Sequence, residues 1–403
     1  MNPSIKKLAE IAGFESRTII GLMSGTSLDG LDIALCNVSG SGANTTVNLS
    51  HYTTKTYSEY HKSHLKKITS IEKVNLSEIC WQHTWLARYH AELILEALEE
   101  WGIDPEEVDC IASHGQTIYH LPARDQQGFP RSLNSTLQIA DGDQIAAKTG
   151  IMTISDFRQK HTAHGGEGAP MAALVDRLLF GHDDESRILL NIGGIANYTY
   201  LPANNQSGER SFTTDTGPGN TLIDNLAYIY FQKQFDEDGL IAASGNINRK
   251  LLDVLLDDVW FQAEESKSTG PEYFNFNWLT ERAEQAGINL KKIRPDDQLA
   301  TVTELSAITI GEAIKDEISD FKDCTIYVSG GGAHNNYLMS RLREQLKPSE
   351  FRDFSELGFD PDAKEALIFA VLANEMIAGE GFDLQSEDGS TKKVNFGKVS
   401  FPN

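Results

Sequence analysis

Three glycine-rich turns and a few isolated carboxylates are the parts of this 403-residue sequence that could do chemistry. The turns are Gly25-Thr26-Ser27, Gly193-Gly194 and Gly330-Gly331-Gly332, and each follows an apolar, β-rich run. Backbone N–H groups at the end of a strand can approach an anion closely when no Cβ intervenes, so turns of this type suit phosphate. None is a Walker A loop, because no GxxxxGK[ST] exists, and GxGxxG is absent at these turns. One such turn alone could simply need a positive φ. Three at strand ends, spread over both halves of the chain, favour a nucleotide's phosphates. Asp29 and Asp32 flank the first turn and could reach Mg²⁺ through water or only hold the loop.

Among the carboxylates, Asp215 is the best placed. It ends a strand and precedes Gly217-Pro218-Gly219 and a helix start, the position where ligands gather in α/β proteins. The competing reading is an Asx-type turn residue. Glu365 is expected in a helix with Asp360 as N-cap and Pro361 at its first position, sharing a face with Ile368 and Leu372. A carboxylate on an apolar face is costly unless paired or functional, and a salt bridge between domains is the alternative. Asp176 borders the apolar stripe Leu174, Val175, Leu178 and Leu179 and reads as solvated or capping. His161, His164 and Glu167 have metal-like spacing, but Gly165 and Gly166 beside them argue against a rigid ligand face.

The elements that would position these groups form a pattern that occurs twice. Thr18–Leu22, the Gly25–Gly30 turn, Asp32–Val38 and Val47–Tyr57 read as hairpin plus third strand. An amphipathic helix over Ser77–Trp101 follows, stopped by Gly102, and then a short buried strand over 108–113. Residues 187–201 repeat the strand, glycine turn and strand; Ser211–Thr214 is the third strand, and Cys324–Ser329 a later one. A duplicated α/β unit is the implied architecture. The Gly-rich tail, Gly379–Asn403, reads as a closing strand or loop, and Pro122–Ser135 and Pro202–Ser211 as surface loops.

Several segments in order then resemble one family. They are GLMSGTSLDGLDIAL (21–35), SHGQTIYH (113–120), DFRQKHTAHGGEGAP (156–170), NIGGIAN (191–197), TDTGPGN (214–220), FDEDGLIAASG (235–245), KSTG (267–270) and SGGGAHN (329–335). Together they resemble the anhydro-N-acetylmuramic acid kinases of bacterial peptidoglycan recycling, within the superfamily of actin, hexokinase and heat-shock ATPases. The resemblance implies two RNase-H-like domains around an interdomain cleft, with domain one at 1–135 plus 379–403 and domain two at 136–378. It implies a reaction in which water opens the bridge of 1,6-anhydro-N-acetylmuramate and O6 receives the γ-phosphoryl of ATP, with Mg²⁺. It also suggests a homodimer.

The same resemblance implies roles. Asp215 matches the catalytic Asp of the motif DxGPGN, and Glu365 a Glu beside substrate and water. Gly25, Thr26, Ser27, Leu28, Asp29, Gly30, Leu31 and Asp32 match an ATP segment, as do Gly193, Gly194 and Gly217, with adenosine near Gly330, Gly331 and Gly332. His114 and Gln116 are implied sugar contacts, and Arg158 a binder of the lactyl carboxylate or a loop holder. The chain departs from the family pattern at His161, where DFRxxD has Asp, at Glu167, where Gln is usual, and at Pro271, where Arg is common. An ordinary sugar kinase and a non-catalytic nucleotide-gated scaffold are the alternatives.

Composition sets the outer bounds. With 35 Lys+Arg against 58 Asp+Glu the formal charge is −23, which argues against a nucleic-acid partner. It does not exclude anionic ligands, because a site acts locally while net charge governs solubility and steering. The four scattered cysteines form no CxxC pair, so neither a disulfide framework nor a zinc ribbon is expected. The longest apolar run, Ala366–Ala373, is far below the ~20 residues that cross a bilayer. A cytoplasmic protein without a membrane partner is expected.

Overall fold

The structure, a computed structural model, describes residues 2–25, 27–123, 126, 128–129, 132–169, 171–205, 210–262, 269–270, 273–385 and 391–403. Thr26, Pro170, Lys267, Ser268 and Pro271 therefore lie outside the described residues. The chain divides into two compact units, 1–179 with 362–403, and 180–361.

In the first unit, β1 (Ser16–Ser24), β2 (Gly30–Ser39) and β3 (Thr46–Thr56) form an antiparallel meander. β4 (Cys110–Leu121) joins β1 in parallel, and β5 (Ser135–Ile139) pairs with β4 antiparallel. β6 (Thr153–Ser155) lies parallel to β4, and the tail strand Lys398–Ser400 closes that edge beside β6. β1 is central and buried on both faces, as a strand covered by helices must be. The helix Leu76–Trp101 buries Leu86, Leu93, Ile94 and Leu98 against Ile20, Leu22, Ile33 and Ile111. Asn75 caps its start by accepting from the Ser77 N–H, and Gly102 ends it in the left-handed region at φ 69°. The helix Lys364–Ala378 packs on β1, and Gly21 permits this approach: a Cβ there would lie 1.9 Å from the Ala366 carbonyl oxygen.

The second unit repeats the plan. β7 (Arg187–Ile192), β8 (Ile195–Leu201) and β9 (Phe212–Pro218) form an antiparallel meander. β10 (Thr325–Ser329) and β11 (Glu350–Asp353) extend it in parallel from β7. Numbered within its own unit, each sheet runs third, second, first, fourth strand, with two antiparallel pairings and then a parallel one. The doubled α/β unit expected from the glycine turns is thus seen in the strand order. Its core joins Ile188, Leu190, Tyr198 and Ile326 of the sheet to Ile310 and Ile314 of the helix Pro295–Glu317 and to Leu338 and Leu342 of the helix Asn336–Gln345.

Three sequence expectations differ from this structure. The compact units change at 180 and 362, not at 136 and 379. β5 and β6 pair with β4, and the helix Lys364–Ala378 packs on β1, and such long-range pairing leaves no local mark in composition. That helix starts at Lys364 with Ala363 as N-cap, not at Asp360-Pro361, whose residues form the preceding turn. β4 runs on to Leu121, and β9 to Pro218, because both strands continue their ladders through the polar motifs they carry.

Candidate active site

In the second unit, three of the sequence motifs converge on the end of β7. The Gly193 carbonyl accepts from the Asn220 N–H at 2.8 Å, and the Gly194 carbonyl from the Gly219 and Thr221 N–H groups at 2.9 and 3.1 Å. The Asn220 side chain donates to the Ile192 carbonyl at 3.1 Å. Gly330, at φ 82°, nestles against Asn191 and Ile192, and a Cβ on Gly332 would strike the Ile192 side chain at 2.3 Å. The carbonyls of the Gly193-Gly194 turn are therefore spent inside the protein.

The glycines of this set differ in why they are glycines. Gly330 needs its positive φ, and Gly332 its missing Cβ. Gly193 and Gly331 have no positive φ, and a Cβ on either would meet nothing nearer than 3.5 Å. Gly25 in the first unit is the same, with its nearest atom at 3.7 Å. Internal packing does not demand glycine at these three positions, whereas close approach of a ligand to the backbone would. Alanine at Gly193 or Gly331 is therefore expected to leave the melting temperature within about 1–2 °C of wild type while weakening ATP about tenfold. Alanine at Gly332 should instead lower the melting temperature. Differential scanning calorimetry beside ATP titration separates the two groups.

Asp215 lies within β9 opposite Asn197, at a register shift between Ala196 and Asn197. Such a bulge re-aims side chains and is common beside active sites. Its Oδ2 accepts from the Thr269 N–H at 2.8 Å. Burial pushes its pKa up to about 6, and the Thr269 hydrogen bond pulls the other way. Asp215 is therefore ionised at neutral pH yet basic enough to take a proton, which suits a general base. Thr269 belongs to the KSTG segment, whose link to Asp215 no sequence spacing discloses. Gly217 follows at φ 121°, with Phe261 where a Cβ would stand.

In the first unit, Arg158 is the hub. Its Nε donates to His114 Nε2 at 2.9 Å and its Nη1 to the Gly168 carbonyl at 3.1 Å. His114 Nε2 is thus an acceptor, so the ring of this neutral histidine carries its proton on Nδ1. Burial and Arg158 hold the His114 pKa well below its ordinary value, and the ring packs on Phe369 at 4.9 Å. Burial lowers Arg158 to about 10, still cationic at neutral pH, and Glu365 opposes that shift. Arg158 Nη2 has no hydrogen-bond partner among the described residues and is available to a carboxylate.

Glu365 stands in the first turn of the helix Lys364–Ala378, exposed, while Ala366 to Glu375 are buried. It is not the carboxylate on a buried apolar face that the sequence suggests. Crowding by protein and the charge of Asp32 push its pKa up, while Arg158 and Lys364 pull it down. Solvent reaches the residue, so the desolvation is partial, and the helix N-terminus favours the ionised form.

Gln116 is fully buried, and its amide is occupied by Ser24, Gly25 and Thr117. It underpins the Gly25 turn and is not a surface for sugar hydroxyls. In that turn the Leu28 N–H donates to the Gly25 carbonyl at 3.2 Å, and Leu28 itself lies at φ 60°. Leu28 and Leu31 are buried, Ser27 and Asp29 exposed. Gly30 faces β3, where a Cβ would meet the Lys55 carbonyl at 2.6 Å. Asp32 accepts from Thr54 Oγ1 at 2.6 Å and Tyr52 OH at 3.1 Å.

Asp176 is fully buried and paired with Lys364 at 3.0 Å, which replaces the solvated role the sequence suggests. His161 Nδ1 accepts from the Gly168 N–H at 3.1 Å, and burial holds its pKa down at about 4. It fastens the 165–168 loop. Among the described residues no three His, Cys, Asp or Glu side chains gather as a metal site would need, and no helix is long and apolar enough to cross a membrane.

The sequence profile of the anhydro-N-acetylmuramic acid kinase family matches residues 17–402. The chain belongs to that family. A relative of that name from Pseudoalteromonas translucida (strain TAC 125) is 45% identical over 100% of both chains. One from Caldanaerobacter subterraneus subsp. tengcongensis is 35% identical over 98% of this chain and 99% of its own. One from Bacillus anthracis is 36% identical over 95% and 99%. Family membership spans both units, so the doubled sheet and all the motif segments belong to one enzyme.

Proposed function

We propose that this chain is an ATP-dependent anhydro-N-acetylmuramic acid kinase that opens 1,6-anhydro-N-acetylmuramate with water and phosphorylates O6, giving N-acetylmuramate 6-phosphate and ADP. The observation that carries this reading is the full-length family match on a chain whose Asp215 is a desolvated carboxylate with a pKa near 6. Asp215 takes the proton of the water that attacks the anomeric carbon, and Thr269 holds the carboxylate in place. The C1–O6 bond breaks, O6 attacks the γ-phosphorus, and ADP leaves. Glu365 helps to orient the water, and Arg158 receives the lactyl carboxylate through Nη2. His114 holds Arg158 in place and supplies no proton.

Gly193 and Gly25 offer their backbone to the phosphates and Gly331 its backbone to the adenosine side of the nucleotide, since phosphoryl transfer is mostly positioning and charge stabilisation. The phosphate charge would be neutralised by Mg²⁺ bound with the nucleotide. With no ready-made cluster among the described residues, it would rest on phosphate oxygens, waters and one or two carboxylates, as Mg²⁺ commonly does. Asp29, exposed beside the Gly25 turn, is the candidate, because Asp32 is engaged by Tyr52 and Thr54. A homodimer in the cytoplasm completes the proposal, and sedimentation would report its mass.

A coupled ADP-release assay tests the function. Activity is expected with 1,6-anhydro-N-acetylmuramate and at most background with N-acetylmuramate or N-acetylglucosamine. Equal rates on the three sugars would favour an ordinary sugar kinase instead.

A further inference from the structure

The first unit carries a buried polar chain that the reaction as described does not use. His90 Nε2 lies 2.6 Å from Tyr57 OH, Tyr57 OH 2.9 Å from Ser24 Oγ, and Ser24 Oγ 2.6 Å from Gln116 Oε1. Gln116 Nε2 donates to the Gly25 carbonyl at 3.1 Å and to the Thr117 carbonyl at 3.3 Å. All four side chains are at most 2% exposed. The chain starts in the helix Leu76–Trp101 and ends under the first glycine turn.

Counting protons fixes its direction. Both contacts of Gln116 Nε2 are carbonyls, so that atom is the amide nitrogen and Oε1 accepts. Ser24 has one hydroxyl proton, and its closest acceptor is Gln116 Oε1, nearer than the Gly30 carbonyl at 3.2 Å. Tyr57 must then donate to Ser24, and its oxygen must accept from His90 Nε2–H. Burial holds the His90 pKa down at about 3, so the ring stays neutral and the direction persists across physiological pH. His90 Nδ1 has no partner among the described residues, as the Nε2–H tautomer leaves it.

We infer that Tyr57 and His90 are positioning residues for the nucleotide: through Ser24 and Gln116 they fix the backbone of the Gly25 turn. The Tyr57 backbone reinforces this by donating to the Asp29 carbonyl at 2.9 Å. A buried polar chain adds little net stability over an apolar core of the same shape, yet each broken link leaves a group unsatisfied. Its effect is to hold one arrangement of the turn. The inference rests on the reading of the Gly25 turn as a phosphate segment, so the test separates the two.

Tyr57→Phe keeps the ring and removes one link. It is expected to raise the KM for ATP about 5- to 20-fold, the usual cost of a broken buried hydrogen bond, with the KM for the sugar within twofold. Gln116→Glu should do more, because a carboxylate cannot donate to the Gly25 carbonyl. Gly25→Val, which crowds the turn itself, should also raise the KM for ATP. If Gly25→Val raises it and Tyr57→Phe does not, the positioning role is overturned. An equal rise in both KM values for Tyr57→Phe overturns it too, since general loosening would do that. If Gly25→Val leaves ATP unaffected, the phosphate reading of the turn falls and the chain has nothing to position. Independently of folding in any variant, nitrogen-15 NMR of the wild type should show His90 protonated at Nε2, and protonation at Nδ1 would overturn the chain's direction.

Discussion

Asp215→Asn is expected to lower turnover by about 10²–10⁴-fold, the usual worth of a general base, while ATP and the sugar still bind. The amide keeps the size of the side chain and can still accept from Thr269, so the loss isolates the proton transfer. The wild-type kcat/KM should fall with decreasing pH below about 6, where Asp215 becomes protonated, and the residual activity of the variant should lack that limb. Stability should move the other way. The native pKa of about 6 lies above the ordinary aspartate value of 3.8, so the native state binds the proton more tightly than the unfolded chain does. Stability from this group is therefore full below about pH 3.8, is lost as the pH rises through 6, and stays lower above it. At pH 7.5 the Asn variant should be the more stable protein by about 1–3 kcal/mol, and the difference should vanish in acid. Urea unfolding at both pH values reads this directly. Near-wild-type turnover would refute the assignment.

Lys364→Met should destabilise the first unit by about 2–4 kcal/mol. Asp176 is fully buried and Lys364 is 18% exposed, with 3.0 Å between them. Removing the ammonium leaves a carboxylate with less compensation in a dry site, and breaking such pairs commonly costs this much, somewhat less when one partner reaches water. The double variant Asp176→Asn, Lys364→Met should recover much of the loss, because the buried charge goes with its partner. The pair lies next to Glu365 and fastens the start of the helix that carries it. An unchanged urea midpoint in Lys364→Met would show that the contact contributes nothing.

Asp176 also shows where sequence reading ends. Its neighbours Leu174, Val175, Leu178 and Leu179 mark an apolar stripe, but the partner that permits its burial is 188 residues away. Gly25, Gly193 and Gly331 were visible because a glycine turn after a β-rich run is a local signal. The doubled sheet was visible because its hairpins are local too. The unit boundaries were not, since β5 and β6 are assigned by pairing with β4. Asp215 stands out from its own motif, whereas Thr269, which holds it, is 54 residues away in sequence. Gln116 reads as a polar residue after a buried strand, and in the structure it faces the underside of the Gly25 turn. For Glu365 the local pattern suggests an apolar helix face, but the helix begins at Lys364 and leaves Glu365 exposed in its first turn.

In the proposed reaction water, and not a pre-existing hydroxyl, makes the first attack. Turnover of 1,6-anhydro-N-acetylmuramate with ATP in ¹⁸O-enriched water, followed by mass spectrometry of the product, tests it most directly. One solvent oxygen at C1 of N-acetylmuramate 6-phosphate, with unlabelled oxygen at C6 and in the transferred phosphoryl group, is the predicted result. Sugar phosphate formed without label at C1 would contradict it.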